Sequence, residues 1–254
     1  MSGYRDFSEF YDRLMVDMDY GAYAAYLLTL FERHGTRPKT VLDIACGSGN
    51  LGERLQAAGI DVIGLDSSAE MLARAAEKMP GALLLCQDMR TMDLYGTADG
   101  AVCTLDSLNH LNGTADIAKV LSRTRLFLEP HGLFIFDVNT PYKHKEVLGD
   151  NTFVWEEDGV FCTWCSSYSP RNHRVDMLLD FFEETEEGLY ERTREAVTER
   201  AYSERTWRRL LAEAGFETLA MYDSTTDSAP EADCERWVFV ARSTRTEQEA
   251  RGIQ

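Results

Sequence analysis

A doubly wound α/β domain, built on a mostly parallel seven-stranded sheet and interrupted by an antiparallel β insertion, is the fold class the sequence predicts, and three observations predict it. Between Val41 and Val138, five short apolar runs alternate with helix-length segments. The first run opens into a glycine-rich turn, Cys46-Gly47-Ser48-Gly49, ahead of a helical stretch. After Thr152 apolar residues recur with period two, as in strands with one covered face.

Phe7, Phe10, Tyr11, Leu14, Met15 and Met18 follow the i, i+3, i+4, i+7 spacing of one helical face. Tyr23, Tyr26, Leu27, Leu30 and Phe31 continue it after Gly21, so two helices within residues 1–37 precede the sheet. The apolar runs Val41 to Ala45, Val62 to Leu65, Leu83 to Cys86, Gly100 to Leu105 and Leu133 to Val138 read as strands covered on both sides. One covering helix carries the stripe Ile117, Val120, Leu121, Thr124 and Leu128 and stops before Pro130 and Gly132.

Residues 151–200 form the insertion, where Val175, Met177, Leu179 and Phe181 alternate with polar Arg174, Asp176 and Asp180. Turn signals at Asp158-Gly159, Ser169 to Asn172 and Glu183 to Gly188 divide it into about four strands. Ser203 then caps a helix with Trp207, Leu210, Leu211 and Ala214 that ends at Gly215. Phe216 to Tyr222 and Trp237 to Ala241 complete the sheet, so the core comprises residues 38–150 and 201–242. The polar segment 243–254 is expected to fray.

The net charge of −17 disfavours a nucleic-acid partner, whose binding rests on Lys and Arg displacing counterions. A small-molecule partner, and a chain acting as a monomer or homodimer, fit better. No apolar stretch approaches the ~20 residues needed to span a bilayer, and Met1 to Asp6 show no leader pattern, so the expected compartment is the cytoplasm. The six cysteines sit mostly in apolar runs and are expected to be free. Cys162 and Cys165 fit C-x-x-C, but i and i+3 on a strand face opposite ways, so no metal site is expected. Asp106-Ser107-Leu108-Asn109-His110 lacks the nucleophile elbow of a hydrolase.

A glycine-rich turn between a strand and a helix lets the backbone approach a ligand and offers unpaired N–H groups to an anion. Gly47-Ser48-Gly49-Asn50-Leu51-Gly52 also fits G-x-G-x-x-G, with Asp66 near the position of a ribose-binding acid, the pattern of an NAD site. Asp43 argues for something else. A carboxylate inside the strand ahead of the turn is costly to desolvate unless a cation or the N–H groups of the loop reach it.

Leu42-Asp43-x-Ala45-Cys46-Gly47-x-Gly49 resembles motif I of class I S-adenosylmethionine (SAM) dependent methyltransferases. The resemblance extends over most of residues 38–242 and implies a Rossmann-like methyltransferase fold with SAM as cofactor. Ile63-Gly64-Leu65-Asp66-Ser67-Ser68 with Met71 is similar to the second-strand motif, which implies Asp66 on the ribose hydroxyls and an apolar side chain beside adenine. Cys86-Gln87-Asp88-Met89 is similar to the third-strand motif, implying Asp88 at the adenine amino group beside Met89. Leu105 to His110 resembles the fourth-strand end that faces the methyl donor. Ala45 stands where many members carry glycine and is expected in an ordinary backbone region. Tyr4, Tyr11-Asp12-Arg13-Leu14-Met15 and Asp19-Tyr20 resemble a small bacterial subgroup with a β-rich lid after the fifth strand.

In-line displacement at a sulfonium needs positioning and exclusion of water more than covalent help. His110 is the best placed candidate base if the acceptor must lose a proton, although a capping or packing role beside the fourth strand is the commoner one for such a residue. Tyr20 and Tyr11 are candidates to close over the cofactor, Tyr11 also continuing an apolar stripe. Asn109, Trp155, Trp164 and Tyr168, with Arg174 or Arg192 for an anionic group, are candidates for an acceptor pocket. The expected mechanism places a small acceptor under a mobile lid formed by the N-terminal helices and the insertion; a SAM-binding sensor without catalysis is the rival from another class.

Overall fold

The computed structural model describes residues 10, 15, 17–157 and 159–251. The first predicted helix falls largely outside the described residues, and Tyr4, Tyr11, Asp12, Arg13 and Leu14 lie there. The described elements are α1 (Tyr20–Arg33), β1 (Thr40–Ile44), α2 (Asn50–Ala57), β2 (Asp61–Asp66), α3 (Ala69–Lys78), β3 (Leu83–Cys86), β4 (Ala98–Cys103), α4 (Thr114–Leu126) and β5 (Leu128–Asn139). After β5 come the insertion strands β6 (Thr152–Glu157), β7 (Val160–Ser169), β8 (Arg174–Glu184) and β9 (Tyr190–Arg200), then α5 (Glu204–Glu213), β10 (Phe216–Asp223), β11 (Arg236–Ser243) and α6 (Glu247–Arg251).

Seven strands form one sheet in the order β10-β11-β5-β4-β1-β2-β3, parallel except for β11, which runs against both neighbours. Period-two alternation splits each central strand between two apolar layers. Phe134, Phe136 and Val138 of β5 face α4 and α5, while Leu133 and Ile135 face α1, α2 and α3. Chain order reverses between β1 and β4, and the crevice outside the carboxyl ends of those strands is where open α/β sheets hold ligands.

Residues 20–33 differ from the expected mobile lid. Leu27, Leu30 and Phe31 of α1 are fully buried, and a Cβ on Gly100 of β4 would lie 2.4 Å from the Phe31 ring. The Tyr26 hydroxyl donates to the Thr226 carbonyl at 2.9 Å, and Arg33 pairs with Asp227. This helix is a layer of the core, because its apolar stripe is wide enough to need the sheet on one side.

The C-terminal segment also departs from expectation. Ser243 ends β11 and is buried, and the buried Arg245 guanidinium donates to the carbonyls of Leu126 and Leu128 at 2.7 and 2.9 Å. The last carbonyls of a helix lack intrahelical partners, and Arg245 supplies donors at the end of α4. Arg125 pairs with Glu249 of α6 at 3.0 Å, so the chain is held down beyond the sheet.

The insertion is the predicted four-stranded antiparallel sheet, ordered β6-β7-β8-β9. Its apolar face carries Val160, Cys162, Val175, Met177, Leu179 and Phe181, with Phe10 stacked on Phe181 at 4.5 Å. Cys165 is exposed, on the face opposite buried Cys162. A buried polar knot ties this sheet to the core. Asn139 donates its amide to Glu199 at 2.9 Å, and His144 faces Glu199 at 3.1 Å and the His173 carbonyl at 2.8 Å. No helix among the described residues is long and apolar enough to cross a membrane.

Candidate functional site

At the end of β1 the chain turns through Ala45 (φ 60°), Gly47 (φ 53°) and Gly49 (φ 80°) into α2. Ala45 therefore corrects the expectation of an ordinary backbone region; the surrounding turn imposes a left-handed conformation that L-residues adopt only under such constraint. The turn is held from β2: the Cys46 amide donates to the Leu65 carbonyl at 3.0 Å, and the Gly47 amide to Asp66 Oδ2 at 3.0 Å. Gly49 has a second reason to be glycine, since a Cβ there would lie 3.0 Å from Ala75 Cα of α3.

Asp43 forms part of a cavity wall with Tyr20, Ala45, Gly47, Thr104, Leu105 and Ser107. It is 1% exposed, and its Oδ2 has no hydrogen-bond partner among the described residues. Burial, and secondarily the charge of Asp66, push its carboxyl up to about 7. A fully buried carboxylate with an orphaned oxygen facing a cavity is a socket for a cation.

A second cavity shares Ala45 with the first and is lined by Leu65, Asp66, Ser67, Gln87, Asp88, Met89, Arg90, His110 and Leu111. Asp66 and Asp88 stand at or beyond the ends of β2 and β3, where the parallel sheet puts them on one rim. Asp66 Oδ1 accepts from the Ser68 amide at 2.9 Å. The Arg90 guanidinium holds Asp88 below the usual carboxylate range, with its Nε 2.9 Å from both carboxylate oxygens. Met71, in the first turn of α3, is not among the residues lining either cavity.

Beyond β4, Leu105 (φ 54°) and Asp106 (φ 55°) lead into a 3-10 turn, Ser107–His110. Leu105 and Tyr20 face the first cavity, and exposed His110 sits on the rim of the second. Ligand-type atoms of Asp106, His110 and Glu199 lie within 4.8 Å of one another. Asn109 is corrected as an acceptor contact. It is fully buried, its amide nitrogen donating to the carbonyls of Asn139 and Arg200 at 3.1 Å and its oxygen accepting from the Asn139 amide at 2.9 Å. These bonds fasten the turn to β5 and β9.

Trp155, Trp164 and Tyr168 pack on the apolar face of the insertion, and the buried Trp164 Nε1 has no partner among the described residues. Tyr168 meets His173 Nδ1 at 2.7 Å. Arg174 and Arg192 are corrected, because strand period two places them on the opposite face. There they pair with Asp176 at 2.5 Å and Asp180 at 2.7 Å. Sequence reasoning missed Asp137, Arg236 and Tyr23, which meet beneath the Leu105–Asp106 turn. A single acid inside the apolar run Leu133 to Val138 was the available signal.

The sheet order, the glycine turn, the rim acids and the buried Asp43 outline an open α/β protein with a ligand crevice at its switch point, suited to a nucleoside that carries a cationic group. The comparisons agree. The Methyltransferase domain family matches residues 41–132. A chain from a Geobacillus species, named as a methyltransferase, is 31% identical over 244 residues, 94% of this chain and 99% of the relative. A glycine/sarcosine N-methyltransferase of Halorhodospira halochloris is 29% identical over 88% of this chain and 81% of its own length. The crystal structure of an S-adenosylmethionine-dependent methyltransferase from Clostridium acetobutylicum matches with a TM-score of 0.86 and 30% identity, over 95% of this chain and 99% of that one. The chain belongs to the class I SAM-dependent methyltransferases, and SAM is its cofactor.

Proposed function

We propose that this methyltransferase methylates the nitrogen of a small amine held between the 3-10 turn and the apolar face of the insertion, with His110 taking the proton the amine must lose. The observation that carries this reading is the convergence of Asp106, His110 and Glu199 within 4.8 Å at the 3-10 turn, with His110 on the rim of the second cavity. Asp106 is paired with Arg236 and the buried Glu199 with Asn139 and His144, so the exposed His110 is the group of the three that faces an incoming acceptor, and an imidazole is suited to take the proton of an ammonium. The overall charge of −17 steers a cationic acceptor in the same direction. The relative that acts on glycine and sarcosine spans the insertion as well as the core, in support of a nitrogen acceptor.

Bound SAM supplies a methyl group made electrophilic by its sulfonium. In this reading Asp43 meets the ammonium of its methionine moiety, and the Gly47–Gly49 turn offers backbone N–H groups to its carboxylate. Asp66 accepts from the ribose hydroxyls, while Ser67, Asp88 and Met89 bracket the adenine. Tyr20 and Leu105 narrow the methyl-donor end and exclude water. Trp155, Trp164 and Tyr168 form the apolar side of the acceptor site.

The test is release of S-adenosylhomocysteine with glycine, sarcosine and a hexosamine against their hydroxyl counterparts. Turnover of an amine with none of its alcohol is expected, and His110→Ala should lower kcat/KM by about 10²-fold or more. Preferential methylation of the alcohols would contradict a nitrogen acceptor, and a His110→Ala change within threefold would remove His110 from proton transfer.

A further inference from the structure

Asp137 of β5 lies outside the glycine turn and the rim acids, yet it joins both walls of the methyl-donor cavity. It is fully buried, and four donors converge on it. Its Oδ2 accepts from the Tyr23 hydroxyl and, at 2.8 Å, from the Leu105 amide. Its Oδ1 accepts from Arg236 and, at 2.8 Å, from the Asp106 amide. Arg236 uses its other terminal nitrogen on Asp106 itself, at 2.6 Å.

Leu105 and Asp106 are consecutive non-glycine residues with positive φ, a conformation that side-chain-bearing residues hold only where their surroundings impose it. The two amides this conformation presents are the two that Asp137 receives. Leu105 is one wall of the cavity and Tyr20 is another. Tyr23, three residues after Tyr20 on the same side of α1, brings the helix to the same carboxylate.

We propose that Asp137 is a positioning residue for methyl transfer: its carboxylate holds Leu105 and Asp106 in the left-handed conformation and sets the distance between that turn and the Tyr20 end of α1. This rests on the cofactor site described above and adds a residue to it. The Asp137→Asn change is nearly isosteric but sets amide hydrogens against donors on one side and removes the charge that Arg236 meets. Leu105→Gly removes the steric cost of positive φ and so replaces part of what Asp137 does.

Calorimetric titration with S-adenosylhomocysteine of the wild type, Asp137→Asn, Leu105→Gly and the double variant tests the coupling. Asp137→Asn should weaken binding by about thirtyfold and Leu105→Gly by about threefold, and the double variant should bind more tightly than Asp137→Asn alone. A double variant no tighter than Asp137→Asn overturns the proposal while leaving the cofactor site standing. A wild type that fails to bind removes the site and the proposal together. Should Asp137→Asn not fold, hydrogen exchange of the wild type decides. Leu105 and Asp106 amides protected as strongly as those of β5 support the role, and exchange at the rate of exposed turns overturns it.

Discussion

Asp43→Asn will cost the protein most of its affinity for S-adenosylhomocysteine while making the ligand-free chain harder to unfold at pH 8. The carboxyl rises from the ordinary 3.8 to about 7 in the folded protein because it is buried, with Asp66 adding repulsion. A carboxyl raised on folding binds protons more readily in the native than in the unfolded state. Its favourable contribution is therefore complete below pH 3.8 and is lost as pH rises through about 7. At pH 8 the free protein carries a buried, ionised carboxylate with one oxygen unpartnered among the described residues, and asparagine removes that charge, for a gain of about 2–4 kcal/mol that shrinks toward pH 5. The ligand ammonium then loses its counter-charge, at a cost of about a hundredfold in Kd. In the wild type the same titration should weaken ligand binding about tenfold per pH unit below 7. Thermal melts and calorimetry at pH 5, 7 and 8 check these outcomes, and an asparagine variant that melts lower at pH 8 with intact binding would contradict them.

Asp66→Ala should weaken the same ligand by about 10–100-fold without unfolding the chain, since hydrogen bonds to a carboxylate contribute about 1.5–3 kcal/mol each. Two structural bonds go with the side chain, from Gly47 and Ser68, so the glycine turn loosens as the ribose acceptor disappears. A second consequence separates this role from simple damage. Asp66 is one of the charges that raise Asp43, so the pH midpoint of ligand binding should move down in the alanine variant. Unchanged affinity would take Asp66 out of the site, and an unmoved midpoint would uncouple the two carboxylates.

Much of the architecture is legible in local periodicity. Short apolar runs alternating with helix-length segments specify strands covered on both faces, and the switch to period two at Thr152 marks the insertion, because both patterns follow from which side of an element meets water. The placement of Asp66 and Asp88 on one rim follows from parallel strands ending together. What was not legible depends on partners distant in sequence. Asp137 meets Tyr23, Leu105 and Arg236 only through tertiary folding, and Arg245 reads as a solvated charge until the unpaired carbonyls of Leu126 and Leu128 are placed beside it. Ala45 fails for a related reason: its intrinsic preference is overridden by a turn pinned from β2. Arg174 and Arg192 show the opposite lesson, since strand alternation alone already places them away from the apolar face.

The most direct measurement is calorimetric titration of the wild-type chain with SAM, S-adenosylhomocysteine and NADH under one set of conditions at pH 8. Micromolar binding of both adenosyl ligands with no heat from NADH is the predicted result, because only they bring a cation to Asp43. Binding of NADH alone would contradict the assignment of this glycine turn to SAM.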